Sequence, residues 1–348
     1  MTEELLNEYA AEKSWDWTLS TPPTHENVDT YMGKLKDCAA GLEGVINAAW
    51  REGGTPTRDY CGNLVGTALR GQKLPEKVND GLFVFTPKGD PAPEENMGTG
   101  LLFRKPKDMR PLTLKAGDNK ILAGVTNSAI LPTVAASASR VQRGFVPLRQ
   151  LTQNIVDLDF RARQAALQYQ NNNILHRFSV ALTLEMLGVV TGLPMMVLFD
   201  YAAAFPSVAH AWIDAVLRTI KVPRGVLNVF RALYKSNQAY AAIGSDIVWL
   251  FEVGCGVLQG CPFSGTLFVI AIDPLLHMFE KFIISPGFGH VYACADDIGV
   301  VLHECRMLIR LYNLFYIMEL ASGLKLKPSK CVLVPVAVEA SVHNVHLI

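Results

Sequence analysis

The spacing of apolar and polar residues changes period several times along this chain, and each change marks an expected element. Residues 1–37 are polar, with Trp15, Trp17 and the Pro22–Pro23 pair, and read as an irregular lead-in. Residues 31–80 read as mostly helical, broken at Gly41, Gly44, Gly53 and Gly54. Apolar runs at 81–86 and 100–104 have strand length, and the stretch 86–99 between them, rich in Pro, Gly and acid, predicts a loop. Helical spacing resumes over 119–131 and over 157–187, the second with a polar face of Arg161, Arg163, Gln164, Gln168 and Gln170. Met195 to Asp200 reads as a buried strand, and helices follow at 207–220 and 224–236, parted by Pro223. Alternation about Gly244-Ser-Asp246 signals a hairpin. A long apolar helix starts near Pro262 and runs to about 283. A second hairpin about Asp296 and Asp297, a helix over 304–321 and short strands near 324–327 and 331–336 complete the pattern. From residue 195 the order is strand, two helices, hairpin, helix, hairpin, helix, strand. That order predicts an α+β fold with helices packed on one face of an antiparallel sheet.

Composition narrows the picture. With 348 residues, half of them apolar, the chain can form one large domain or two to three lobes. Lys and Arg together equal Asp and Glu, at 32 each, which argues against an overtly basic nucleic-acid binder but leaves room for local patches. Seven scattered cysteines form no CxxC pair, so a structural zinc site is not expected, and reduced thiols in an intracellular protein are. The acidic start lacks an apolar signal core. The most apolar stretch, Met186 to Phe199, is interrupted by Gly192 and Pro194 and is short for a membrane span, so a membrane partner is not expected.

The candidate chemistry lies in the second half. Asp296 and Asp297 sit in an apolar run, where carboxylates are costly unless something pairs with them. Taken alone they are also read as an acidic turn. Asp200 ends its own apolar strand and, taken alone, is equally a helix N-cap. If a sheet sets Asp200 beside Asp296, their repulsion calls for a cation, and such a pair can hold two Mg²⁺ for phosphoryl transfer. Between them, Gly254-Cys-Gly-Val-Leu-Gln-Gly-Cys-Pro-Phe-Ser264 is a glycine-rich turn opening onto a helix N-terminus, where a phosphate, a base or a template strand can approach.

These residues belong to a longer ordered set. Phe199-Asp-Tyr-Ala-Ala-Ala-Phe-Pro-Ser-Val208 has an aspartate with an aromatic five residues on. Gly256-Val-Leu-Gln-Gly-Cys-Pro-Phe-Ser264 runs on to Leu267-Phe268 and Ile272-Asp273, then come Cys294-Ala-Asp-Asp297 and Gly323-Leu-Lys-Leu-Lys-Pro-Ser-Lys-Cys331. Upstream stand Arg110-Pro-Leu-Thr-Leu114 with Lys120-Ile-Leu122, Gln142-Arg-Gly-Phe-Val-Pro-Leu-Arg149, and Ala40-Gly-Leu-Glu-Gly44 with Trp50. In this order, over roughly 38–336, they resemble reverse transcriptases, particularly those of non-LTR retrotransposons.

The resemblance implies a right-hand polymerase: a fingers-like region over 38–190, a palm over 191–336, and a tail at 337–348 that stops before a thumb. It implies RNA-directed DNA polymerase activity with an RNA template, a DNA or RNA primer and dNTPs, in nucleus or cytoplasm. Asp200 and Asp296, with the backbone carbonyl of Tyr201, would bind two Mg²⁺ (Mn²⁺ being the other ion considered), and Asp297 would support them. Phe205 would lie under the incoming sugar and exclude a 2′-hydroxyl; its other reading is a core aromatic. Gln259 and Gly260 would line the nascent-pair pocket. Arg110 and Lys88 would neutralise the triphosphate, or else belong to a solvated basic loop. Lys330 would donate a proton to the leaving pyrophosphate, or else close a surface turn. Cys294 stands where the family has an aromatic, with Tyr292 two residues before it. Leu148 precedes Arg149 where the family has glycine, and Gly265 and Lys327 replace a proline and an asparagine. A catalytically inactive remnant that binds nucleic acid weakly is the alternative, motivated by the missing thumb, Cys294 and the zero net charge. A template-independent phosphotransferase is the third reading.

Overall fold

The computed structural model describes residues 2–89, 105, 108–172 and 192–337. In chain order its helices and strands are α1 (Thr2–Glu12), α2 (His25–Gly33), α3 (Asn47–Glu52), α4 (Gly54–Leu69), β1 (Gly81–Pro87), β2 (Met109–Lys115), α5 (Gly117–Ser137), α6 (Leu151–Asn172) and β3 (Met195–Phe199). They continue with α7 (Ala204–Ser207), α8 (His210–Thr219), α9 (Arg224–Leu233), β4 (Gln238–Ile243), β5 (Asp246–Glu252), α10 (Ser264–Phe279), β6 (Gly289–Cys294), β7 (Asp297–Leu302), α11 (Leu308–Ser322) and β8 (Val332–Pro335). Contacts divide the chain into two compact units that interleave in sequence. The first takes Met1–Asp16, Thr133–Lys221 and Gly265–Ile348, the second Trp17–Pro132 and Val222–Ser264. This differs from the linear boundary at 190/191 expected from the motifs.

The first unit is built on a four-stranded antiparallel sheet in the order β6-β7-β3-β8. Its strands are apolar on both faces because both are covered. Phe199 stands 4.6 Å from Phe315 of α11, which meets Phe279 of α10 at 5.2 Å. Across the other face runs α6, whose Ala162 and Ala165 pack on Val301, with Leu158 and Met196 beside them. Val197, Val300, Val301 and Leu302 are wholly buried, each stabilising by about 1.5–3 kcal/mol.

The lead-in expected to be irregular is helical in α1 and α2. Its first helix is tied to the middle of α10. There the buried Asp273 accepts hydrogen bonds from the Tyr9 hydroxyl and, at 2.7 Å, from Ser139 N, with the Lys13 ammonium at 3.1 Å. A carboxylate can stay buried when it is paired and hydrogen-bonded in this way. The helix hid in the sequence because its buried stripe is only Leu5, Leu6 and Tyr9 among acidic neighbours.

In the second unit the sheet order is β2-β1-β4-β5. Antiparallel pairing joins β1 to β2 and β4 to β5, and a short parallel pairing joins Gly81 and Leu82 of β1 to Ala239 and Tyr240 of β4. Beneath it the buried Lys115 donates to Asn79 O and, at 2.6 Å, to Asn237 Oδ1, and burial pulls its pKa down to about 8.

Elsewhere the elements follow the periodicity, with adjustments. The strand expected near 324–327 is a single bridge between Tyr201 and Leu326. The helix expected over 157–187 starts earlier, at Leu151, and is described to Asn172. Its remainder, the strand at 100–104, most of the 86–99 loop and the tail from 338 lie outside the described residues.

Candidate metal and nucleotide site

The β3 and β7 strands pair from Met195–Leu302 to Phe199–Ile298, so the same register carried one residue further sets Asp200 opposite Asp297. The β6–β7 hairpin ends in the pair Cys294–Asp297, leaving Ala295 and Asp296 as a two-residue turn. Ala295 has φ +57° and Asp296 is not positive, the φ pattern of a type II′ turn, which ordinarily takes glycine at its first position. Three carboxylates, Asp200 and the adjacent pair nearly a hundred residues on, thus gather at one end of the first unit's sheet.

Their electrostatics register the crowding. Burial pushes the pKa of Asp296 above the ordinary carboxylate range, and the charges of Asp297 and Asp200 push it further. Asp297, the more exposed of the two, is raised by desolvation and then by Asp200. A cation answers them among the described residues: Lys330 Nζ lies 3.1 Å from Asp200 Oδ2. Lys330 reaches it from a 3₁₀ turn over Pro328–Lys330, which is anchored where Lys327 N donates to Asp200 O at 2.8 Å. The next residue, Tyr201, is buried edge-on to Phe315 at 5.9 Å. Its hydroxyl has no hydrogen-bond partner among the described residues, and burial, then the Asp296 charge, raises its pKa far above the ordinary range. Phe205 is half-buried, stacked on Phe268 at 4.6 Å and edge-on to Phe145 at 5.9 Å, which makes it part of a fixed aromatic platform.

The donor set suits a hard ion, since it is all oxygen. Among the described residues no three Asp, Glu, His or Cys side chains close into a preformed cage. Mg²⁺ fits such an arrangement, because it is typically held by one or two carboxylates together with substrate phosphates and water.

Cys294 is half-buried in β6, and burial followed by the charges of Asp297 and Asp296 raises its thiol pKa, so it is a protonated neighbour of the site. The guanidinium of Arg143 lies 5.5 Å over the ring of Tyr292.

The remaining sequence candidates belong to the second unit. Thr113 N donates to Gln259 O at 2.9 Å. Gly260 has φ +105°, and a Cβ there would lie 2.8 Å from Thr113 O, so glycine is required for this turn to dock on β2. Arg110 on β2 faces Thr86 on β1, and Lys88 follows β1 with its N–H donating to Asp108 O at 2.9 Å. Both basic side chains are exposed at the same end of this two-stranded ribbon.

The family model described as reverse transcriptase (RNA-dependent DNA polymerase) matches residues 93–343. The chain belongs to the reverse transcriptase family. The match spans every candidate residue except Lys88. The chain is also 25% identical to the transposon TX1 uncharacterized 149 kDa protein of Xenopus laevis, over 64% of this chain and 16% of that protein. It is 26% identical to the retrovirus-related Pol polyprotein from type-2 retrotransposable element R2DM of Drosophila melanogaster, over 78% of this chain and 22% of the polyprotein. The chain therefore spans about a fifth of the curated relatives it matches. Both relatives are transposable-element proteins by name, the second a retrotransposable-element polyprotein, in line with the non-LTR character of the motifs. Reverse transcriptase motifs in the sequence included Gln142 to Arg149 without giving any of its side chains a task. The structure places Gln142, wholly buried, behind the Ala295 turn. Its setting in Ser139-Arg140-Val141-Gln142-Arg143, with an arginine on either side, reads as a solvated polar stretch and gave no signal of burial.

Proposed function

We propose that this chain is the RNA-directed DNA polymerase region of a retrotransposon-like protein, moving a nucleotide from a dNTP to a primer 3′-hydroxyl on an RNA template with two Mg²⁺. The observation that carries the reading is the gathering of Asp200, Asp296 and Asp297 at one sheet end, within a chain of this family, with Lys330 paired to Asp200. Asp200 and Asp296, with the Tyr201 carbonyl, would hold the ions, and Asp297 would add charge beside them. Bound there, the ions would activate the attacking hydroxyl and neutralise the departing pyrophosphate.

The chain's own residues supply the rest. Lys330, held on Asp200, would give a proton or a positive charge to the leaving group. Phe205 is stiffened by Phe268 and Phe145, which suits a wall that tests the sugar. Arg110 and Lys88 offer positive charge for a triphosphate, and basic groups of this kind stabilise phosphoryl transfer electrostatically. Gln259 and Gly260, in the turn docked on Thr113, would line the nascent-pair pocket. The test is Mg²⁺-dependent dNTP incorporation on a primed RNA template, compared between the wild-type chain and Asp296→Asn. Incorporation that survives the substitution would refute the site. A folded wild-type chain that binds template and incorporates nothing would point instead to the inactive remnant.

A further inference from the structure

The Ala295 turn does not hold itself. A non-glycine residue at φ +57° is strained, because its Cβ crowds the backbone. The buried side-chain amide of Gln142 grips both polar groups of that residue: Oε1 accepts from Ala295 N at 2.8 Å, and Nε2 donates to Ala295 O at 3.3 Å. Its Oε1 also accepts from Gly144 N at 2.8 Å, so the amide itself is fixed in orientation. Rotating Ala295 to an ordinary φ would pull its N–H and C=O off this amide and leave buried polar groups unpaired.

The segment carrying Gln142 is seated on the hairpin in the same region. Arg143 N donates to Ala293 O at 2.8 Å, Ala293 N to Val141 O at 2.9 Å, and Asn154 Nδ2 to Ala293 O at 3.0 Å. A Cβ on Gly144 would lie 2.3 Å from Ala295 N, so glycine permits the approach. Behind it, the Arg149 guanidinium donates to Gln142 O at 2.7 Å and to Ala135 O and Ala138 O at 3.0 and 3.2 Å, tying the segment to the end of α5.

We infer that Gln142 is a positioning residue that holds the Ala295 turn at positive φ and so aims the Asp296 and Asp297 carboxylates for catalysis. This rests on the polymerase reading for its consequence, and on the hydrogen bonds alone for the clamp. Asp296 lies in the turn and Asp297 follows it, so both carboxylates move with it, and a misplacement of about 1 Å can cost about a hundredfold in rate.

The experiment compares the full chain with Gln142→Leu and with Gln142→Leu/Ala295→Gly. With Gln142→Leu, turnover should fall on the order of a hundredfold while the dNTP KM changes by less than about threefold. Glycine at 295 adopts positive φ freely, so the double variant should recover about tenfold of the loss. Hydrogen exchange of the metal-free protein reads the clamp without any activity: the Ala295 amide should exchange faster in Gln142→Leu while β3 and α11 stay protected. Unchanged Ala295 exchange, or a loss that Ala295→Gly fails to restore, would overturn the proposal. If the wild-type chain incorporates no dNTP the polymerase reading falls, and the exchange result still decides the clamp. Should Gln142→Leu not fold, the isosteric Gln142→Glu, which removes the Nε2 donor facing Ala295 O, carries the same comparison.

Discussion

The β4–β5 hairpin closes through Gly244 and Ser245, and the β6–β7 hairpin closes through Ala295 and Asp296, each as a two-residue turn with positive φ at its first residue. In the first the residue at φ +63° is glycine, with open space where a Cβ would go, and β5 is exposed along most of its length. In the second the residue at φ +57° is alanine, the strands are buried, and Gln142 braces the turn. One hairpin meets the demand for positive φ by residue choice, which is local and costs little. The other meets it by a contact from elsewhere in the chain. Strained backbone of this kind persists where the surroundings over-determine it, and it clusters at functional sites. The difference fits the catalytic role proposed for the β6–β7 turn.

Four measurements can break or sharpen that contrast. The largest effect is expected from Asp296→Asn, which should reduce dNTP incorporation on the order of a thousandfold, the equivalent of about 4 kcal/mol of lost charge stabilisation. The same variant should melt higher than wild type in EDTA, because it removes a charge that burial and its neighbours disfavour. Activity and stability changing in the same direction would contradict the strained-site reading of this hairpin. Next is Lys330→Gln, expected to slow turnover by about a hundredfold while template binding holds, as loss of a positioned proton donor does. An unchanged rate would return Lys330 to a turn-closing surface lysine.

The third concerns pH. Asp296 and Asp297 have folded pKa values above their unfolded ones, so the folded state binds more protons and the pair favours folding most at low pH. That contribution fades as pH rises from the ordinary carboxylate range through the raised values. Urea midpoints of the metal-free chain should therefore fall with pH across that window more steeply in wild type than in Asp296→Asn. Equal slopes would show that the crowding of carboxylates has no energetic weight. The smallest effect is Gly244→Ala, expected to destabilise by about 1 kcal/mol through positive φ alone, with dNTP incorporation unchanged. Loss of activity there would remove the contrast between the two hairpins.

Much of the local structure was legible in the residues. The apolar runs of β3, β6 and β7, the Gly244-Ser245 turn and the break at Pro223 are nearest-neighbour signals, and they reappear where periodicity puts them. The α1 helix was not legible, because what holds it is a carboxylate 264 residues away that meets Tyr9 only in the folded chain. The second layer over the palm sheet, made by α6, was not assigned either, since the helical pattern of 157–187 says nothing about which sheet face it will cover.

Taken by itself, the sequence determined the family through its ordered motifs, the kind of element at most positions and the identity of the carboxylates. These depend on short-range spacing, which the chain carries wherever it goes. Tertiary structure alone decided that β1 joins β4 in one sheet, that Lys330 pairs with Asp200, and that Gln142 braces the turn beside Asp296. Each of these joins residues far apart in the chain through hydrogen bonds or charge, and such pairings leave no periodic trace for a linear reading to find.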